Sequence, residues 1–373
     1  MDYDFSHKKI CLVTDWLTNL GGAERVIKAV ADMFPAAPIF TTVADASAVK
    51  TFFPDFSRIR TSWLQHIPFA KRHYQLFLPL LSAAIRSHDL SEFDVILSFS
   101  SCVAKNVKKS RKNQIHICYI HTPMRYAWEP HYDPRIRRFP FGIWHVAQWM
   151  LECIRRRDYA FRKNPDSYIA NSTETAARVR DWYGLDSHVL YPPFDANSVQ
   201  FSAKKSDYFL GLGRLVAYKK FDLLVQTFVK NPAKKLIIAG DGPERKTLEK
   251  IAKNAKNITF LGRVDEVKKR DLLAQARALI LPQREDAGIV QLEAMASGTP
   301  VIAYRAGGVL DVLLEKKNGI FFDEQTSEGL EKALEFFEKE EQNFCSQEIQ
   351  KSVENFEASI FGERYKSLVK KIT

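Results

Sequence analysis

Two glutamates, Glu285 and Glu293, stand eight residues apart in the stretch REDAGIVQLEAMASGTP, with Gly288 between them. The preceding ALILPQ reads as a buried strand, REDAG as a turn and IVQLEAMASG as a helix closed by Ser-Gly-Thr-Pro. The first turn of such a helix presents unpaired backbone N–H groups at the positive end of its dipole, a natural seat for phosphate. Glu285 lies just before that seat and Glu293 about two turns along the helix. The pair could accept hydroxyl hydrogen bonds on either side of a diphosphate, from a sugar on one side and a ribose on the other. For an isolated pair the bland alternative is a capping Glu285 and a surface Glu293.

The surroundings favour the ligand. In GLGRLVAYKKFDLLVQTF a strand ends in glycine, Arg214 follows at once, and Lys219 comes five residues later at the start of a helix. Arg with its paired donors and Lys as a point charge suit a pyrophosphate. In the first half, Gly21 and Gly22 separate the strand KKICLVTDW from a helical pattern, and His121 ends the strand QIHICYI just before Thr-Pro. That histidine reads equally well as structural or functional. Arg125, Tyr126 and Trp128 follow it and could line an acceptor pocket, with packing an equal alternative for the two aromatics.

These residues need a scaffold that brings strand ends together. Short apolar strands recur at PIFTTVA, FDVILSFSS and DSYIANS in the first half, and at KLIIAGDGPE, ITFLGRV, PVIAYRAGG and GIFFDE in the second. Alternation with helical stretches predicts parallel sheets covered by helices, with ligands at the carboxyl ends of the strands. The pattern pauses at HVLYPPFDANSVQFSAKKS, so the fold class is α/β with two domains, 1–195 and 196–354. If the two sheets face each other, their loops share one cleft. The helical periodicity of the last residues predicts one C-terminal helix, placed at about 355–373.

Composition excludes several classes. The 373 residues are 46% hydrophobic and 27% charged, as in a globular protein, without the long apolar run of a membrane span. The acidic start, with an apolar run soon broken by Asp15, does not read as a signal peptide, so a cytoplasmic location is expected. Five scattered cysteines without a CxxC or Cys/His cluster predict buried free thiols, not disulfides or zinc. No DxD-like pair occupies a strand-end loop, and no metal is expected. Residues 105–163 hold fourteen Lys and Arg against four Asp and Glu, nearly all of the net +11. Within that stretch FGIWHVAQWMLECIRRRDYAFRK sets Trp144, Trp149, Met150, Leu151 and Ile154 beside three arginines. It reads either as an interfacial helix on anionic lipid or as a packed helix with a solvated basic edge. No RNA-binding or helix-turn-helix signature accompanies the charge, so nucleic acid is not an expected partner.

The pair GRLVAYKK and REDAGIVQLEAMASGTPVIAYRAGG closely resembles the donor half of the family 4 glycosyltransferases, with its G-R-L-x-x-x-K and E-x7-E patterns. WLTNLGGAERV, RHYQLFLPL, HICYIHTPMRYAWEP, YIANSTETAARVRDWYG and VLYPPFD resemble a subgroup of bacterial mannosyl- and related transferases of surface polysaccharides. The resemblance runs from about residue 10 to 325. It implies a GT-B fold, two Rossmann-like domains facing across a cleft, with the C-terminal helix packing back on the first domain. It also implies metal-independent transfer with retention of configuration from a nucleotide sugar, GDP-mannose first and a UDP-sugar as the alternative. The acceptor would be a saccharide or lipid-linked saccharide, with peripheral contact at an anionic inner membrane.

Residue by residue, the resemblance makes Arg214 and Lys219 the cations on the leaving diphosphate, Glu285 the sugar ligand and Glu293 the ribose ligand. Gly288, Ile289 and Val290 become the helix start over phosphate, Gly21 and Gly22 the loop beneath the diphosphate, and His121 a histidine of the acceptor side. Three positions depart from the pattern: Arg284 where a Ser-x-x-Glu run is common, Ala287 for Phe, and Glu129 for Asp. The competing readings are a nucleotide-sugar epimerase of similar architecture and a basic membrane- or nucleic-acid-binding protein with inactive sites.

Overall fold

The computed structural model of the chain describes residues 8–129 and 141–372, the side chains of 141–143 excepted. Seven strands form a first sheet: β1 (Ile10–Thr14), β2 (Ile39–Thr41), β3 (Ile59–Thr61), β4 (Val95–Ser100), β5 (Ile115–Ile120), β6 (Ser167–Ala170) and β7 (His188–Val189). Six more form a second: β8 (Phe209–Leu212), β9 (Leu236–Ala239), β10 (Ile258–Gly262), β11 (Ala278–Leu281), β12 (Val301–Tyr304) and β13 (Gly319–Phe322). The orders are β3-β2-β1-β4-β5-β6-β7 and β10-β9-β8-β11-β12-β13, with parallel pairing throughout. Both are Rossmann-like: each chain winds outward one way from β1 or β8, then returns to wind the other way from β4 or β11. The α/β class and the two Rossmann-like sheets are therefore observed. Helices cover both faces of such a sheet, so β1 and β4 are buried along their whole length and show no polar alternation.

The helices used below are α1 (Gly22–Met33), α2 (Leu78–Arg86), α3 (Phe141–Ala160), α4 (Phe221–Lys230), α5 (Glu266–Gln275), α6 (Ile289–Ala296), α7 (Ser327–Glu340), α8 (Ser346–Lys351) and α9 (Ala358–Ile372). The chain divides into two compact units. The first runs up to Pro193 and resumes at Ser359; the second is Phe194–Ala358. One core of unit 1 gathers Leu12, Leu97 and Ile117 with Phe361, Tyr365 and Val369 of α9. In unit 2, Phe209, Ile238 and Ile280 pack with Phe228 of α4 and Phe337 of α7. Each such side chain contributes about 1.5–3 kcal/mol by leaving water.

Several expectations are corrected. The strands β3 and β7 were not foreseen, because three and two residues are too few to form an apolar run. The C-terminal helix expected at about 355–373 is observed as α9, and a short 3-10 turn at Glu354–Phe356 separates it from α8, which ends at Lys351. Cys11, Cys102 and Cys118 are buried, but Cys153 and Cys345 are exposed, one on the outer side of α3 and one capping α8. Lys105, counted with the basic edge, is buried and paired with the buried Asp158. The carboxylate of Asp158 also accepts from Trp128 Nε1 at 2.8 Å and Tyr183 Oη at 2.7 Å, which anchors one side of α3 in the unit. The basic run Arg135–Arg138 lies outside the described residues.

Candidate functional site

In unit 2 the winding reverses between β8 and β11, so the loops after these two strands are forced to be neighbours at the carboxyl edge. The first loop carries Arg214 and a 3-10 turn, Ala217–Lys219, ahead of α4; the second carries Gln283, Arg284 and Glu285 ahead of α6. Lys219 is thus in the turn before the helix, not in the helix itself. Its Nζ lies 2.7 Å from Glu285 Oε2, and both side chains keep a small exposed fraction, 15% and 22%. Gln283 Nε2 donates to the same oxygen at 3.1 Å. Burial disfavours the Lys219 ammonium, but the Glu285 carboxylate outweighs it and the pKa lies above the ordinary lysine value, with Arg214 pulling slightly the other way. The lysine is therefore a cation at any physiological pH. Arg214 is exposed.

Both loops are held by glycines. Gly308 N donates to Glu285 O at 2.9 Å, and Glu285 and Gly307 form a parallel bridge. A Cβ on Gly307 would fall 2.2 Å from Glu285 O, and one on Gly308 2.0 Å from Asp286 O. On the other side, a Cβ on Gly240 would fall 1.8 Å from Gly213 O. Only bare backbone fits at these points. The repeated Gly after each strand was the available signal.

Gly288, at φ +79°, caps α6, and Ile289 and Val290 form its first turn. Glu293 sits about one turn in, nearer the helix start than the two turns expected. It is buried, and its Oε1 accepts from Lys269 Nζ of α5 at 3.0 Å. Lys269 is held in turn by Glu266 at 2.7 Å. Sequence reading missed Lys269: in EVKKRDLLAQ three cations and two acids crowd together, and nothing local tells which one turns inward.

The equivalent reversal in unit 1 lies between β1 and β4. There Asp15 is buried, and its carboxylate accepts from Ser101 N at 2.6 Å, Val103 N at 2.7 Å and Ala104 N at 2.6 Å. Burial raises its pKa in spite of these bonds. Gly21 is the extended N-cap of α1 and Gly22 its first residue; the buried Glu24 takes backbone N–H groups at this helix start, and burial lifts its pKa to about 7. His121 follows β5. Its N donates to Ser100 O, Thr175 Oγ1 donates to its carbonyl, and its ring meets Tyr119 edge-on at 5.2 Å. Its Nε2 is buried without a hydrogen-bond partner among the described residues, and burial lowers its pKa to about 4, so the imidazole is neutral at pH 7.

Arg125 approaches Glu129 at 3.9 Å, and Glu129 also faces Arg178 at 3.6 Å. Tyr126 and Trp128 are packed against the unit's core, and Trp128 stacks on Trp182 at 5.5 Å while bonding Asp158. The structure thus assembles Arg214, Lys219, Glu285 and Gly288–Glu293 in unit 2, while His121 and Arg125–Trp128 belong to unit 1. No group of three or more His, Cys, Asp or Glu that could hold a metal ion occurs among the described residues.

Comparison with known proteins adds two family matches. Residues 20–198 match the model for Glycosyltransferase Family 4, and residues 195–355 the model for Glycosyl transferases group 1. The lipopolysaccharide core biosynthesis glycosyltransferase LpsE of Rhizobium meliloti is 28% identical over 207 residues, 48% of this chain and 57% of that protein. A GDP-mannose-dependent alpha-(1-6)-phosphatidylinositol monomannoside mannosyltransferase of Mycobacterium tuberculosis is 36% identical over 127 residues, 30% of this chain and 33% of that protein. The chain thus spans less than two thirds of the length of either curated relative. The structure of Anabaena HepE in complex with UDP and glucose superposes with a TM-score of 0.70 at 18% identity, covering 98% of this chain and 100% of that one. At that identity the likeness concerns the fold.

Proposed function

The chain belongs to the GT-B glycosyltransferases, with a Family 4 domain followed by a group 1 domain, and from that premise we propose that it transfers mannose from GDP-mannose, with retention, to a saccharide or lipid-linked saccharide of a bacterial surface polysaccharide. The observation that carries the reading is the Lys219–Glu285 contact of 2.7 Å at the β8/β11 reversal, beside the start of α6. A cation, a carboxylate and a set of helix N-terminal amides in one place are what a sugar diphosphate needs. The mannosyl donor is supported by the 36% identity to the GDP-mannose-dependent relative.

In this reading Arg214 and Lys219 neutralise the diphosphate as its bond to the anomeric carbon breaks, and the amides of Gly288, Ile289 and Val290 hold its oxygens. Glu285 accepts from donor sugar hydroxyls and Glu293 from the ribose. The acceptor oxygen bonds to the anomeric carbon on the face the diphosphate leaves, and the acceptor's proton passes to a phosphate oxygen. His121 is a neutral hydrogen-bonding group on the acceptor side, since its lowered pKa keeps it from serving as a cation there. Both Glu285 and Glu293 already contact a lysine, which suits binding carboxylates better than an attacking one.

The test is a panel of GDP- and UDP-sugars offered to the purified protein with short free and lipid-linked oligosaccharides, followed by mass spectrometry. A mass gain of one hexose from GDP-mannose is expected. Transfer from a UDP-sugar alone overturns the donor, and failure to bind any nucleotide sugar overturns the function.

A further inference from the structure

The three most exposed large apolar side chains among the described residues are Leu76 at 79%, Phe69 at 77% and Trp149 at 68%. All three lie in unit 1, in two segments that meet. Phe69 is held outward at φ +64°, an unusual conformation for a bulky residue, by a turn in which its carbonyl accepts from Arg72 N and His73 N. His73 O then accepts from Leu76 N, so one continuous coil leads into α2 with Leu80 also exposed. On α3, Val146, Trp149, Met150 and Cys153 are exposed at positions i, i+3, i+4 and i+7, which is one helical stripe. The two segments are joined by Arg157 Nη1, which donates to Pro79 O at 3.5 Å. Between them lies a cavity of about 400 Å3, lined among others by Leu78, Pro79, Met124, Trp149, Met150 and Ile154.

The charge around this face has one sign. From residue 56 to 88 the chain has no Asp or Glu, and Lys71 and Arg72 are exposed beside Phe69. Arg155, Arg156 and Arg157 are exposed on α3, and the only acid of its described part facing solvent with them is Glu152, which pairs with Arg155 and Arg156. The opposite side of α3 is fixed by the buried Lys105–Asp158 pair. The helix is thus neither free nor fully packed: one side is anchored in the unit and the other presents apolar groups among cations.

We infer that this face of unit 1, formed by residues 69–80 with the outer stripe of α3, docks on an anionic lipid surface. Phe69, Leu76 and Trp149 would enter the headgroup and acyl boundary, and Lys71, Arg72 and Arg157 would meet phosphate groups. A second copy of the chain is a poorer occupant, because a two-fold contact would set these cations against their own copies. The inference rests on the reading that the acceptor is carried on a lipid, and it names the surface by which the enzyme reaches it.

The experiment is co-sedimentation of the full chain with phosphatidylcholine vesicles and with vesicles containing phosphatidylglycerol, alongside light scattering and calorimetry with GDP. Binding is expected only with phosphatidylglycerol present, and high salt should weaken it. Phe69→Ser/Leu76→Ser/Trp149→Ser and Lys71→Gln/Arg72→Gln should each lower vesicle partitioning at least about 10-fold. Because all five side chains are exposed, GDP affinity and melting temperature should remain those of the wild type. Equal binding to both vesicles, no binding to either, or a dimer lost in the apolar variant would each overturn the proposal. Vesicle binding without GDP binding would instead sink the donor-site reading and leave this one standing.

Discussion

The two units share a strand order and therefore a point where the winding reverses, but they fill it differently. In unit 2 the β8/β11 reversal holds Lys219 and Glu285, a charged pair still in reach of solvent. In unit 1 the β1/β4 reversal holds Asp15, whose carboxylate is buried and engaged by three backbone N–H groups. One topology thus supports a position ready to exchange partners and a position closed by its own loop. Unit 1 turns its exposed chemistry elsewhere, to the apolar and cationic face of α3. The difference shows that a sheet edge only permits a site. The local loop decides whether its polar groups are left for a ligand.

The sharpest way to break this contrast is Asp15→Ala. Three buried N–H groups would lose a charged acceptor, and unit 1 should lose about 4 kcal/mol of stability, read from the urea midpoint, with GDP affinity unchanged within about twofold. A variant that stays as stable as the wild type but cannot transfer sugar would show that Asp15 belongs to the chemistry and that the two edges are alike. Lys219→Ala should do the reverse. We predict a fall in turnover of roughly 100-fold, about 2.7 kcal/mol of barrier, with the unfolding midpoint little changed. Unaltered kinetics would misplace the leaving-group site.

What sequence could say follows the physics of each signal. Strands such as ICLVT and VILSFS are buried on both faces, and their apolar runs announce them. Glu285 and Glu293 were legible because strand, turn and helix succeed one another within nineteen residues, Ala278 to Ala296. The Lys219–Glu285 contact joins residues 66 apart, and only the strand order brings them together. Lys269 was illegible for a different reason: its partner Glu293 is on another helix, and its own neighbours are equally charged. The basic stretch misled in one respect, since net charge cannot distinguish the buried, paired Lys105 from the exposed Arg156.

Lys269 allows the unit 2 edge to be tested beyond its obvious pair. If its ammonium sets the orientation of the Glu293 carboxylate, Lys269→Met should raise the donor KM about 10-fold, roughly 1.4 kcal/mol, with kcat changed less than about twofold. Lys269→Arg should restore most of the loss, because a cation would again face the carboxylate. Glu293→Ala should reproduce the same KM effect, and the double variant should add little to it. A uniform loss of stability in Lys269→Met, not rescued by arginine, would reduce the residue to packing.

The smallest effect concerns acid. All nine histidines lie outside unit 2. In unit 1 burial holds His116 at about 3 and His121 at about 4, while unfolded histidine titrates near 6.5. Unfolding therefore takes up protons at these sites, and their contribution to stability, complete above about pH 6.5, is lost as the pH falls toward 4. Glu24 acts in the opposite sense. Its folded pKa of about 7 lies above the ordinary value of 4.5, so acidification from pH 7 toward 4.5 favours the folded unit. Glu24→Gln keeps an acceptor for the helix-start N–H groups but removes that compensation. Between pH 7 and 6 the variant's unit 1 should lose about 1 kcal/mol more than the wild type, a further fall of roughly 2–4 °C in its melting transition. The transition of unit 2, without histidine, serves as the internal reference; identical pH slopes in variant and wild type would mean that the Glu24 carboxyl does not carry the proton in the folded unit.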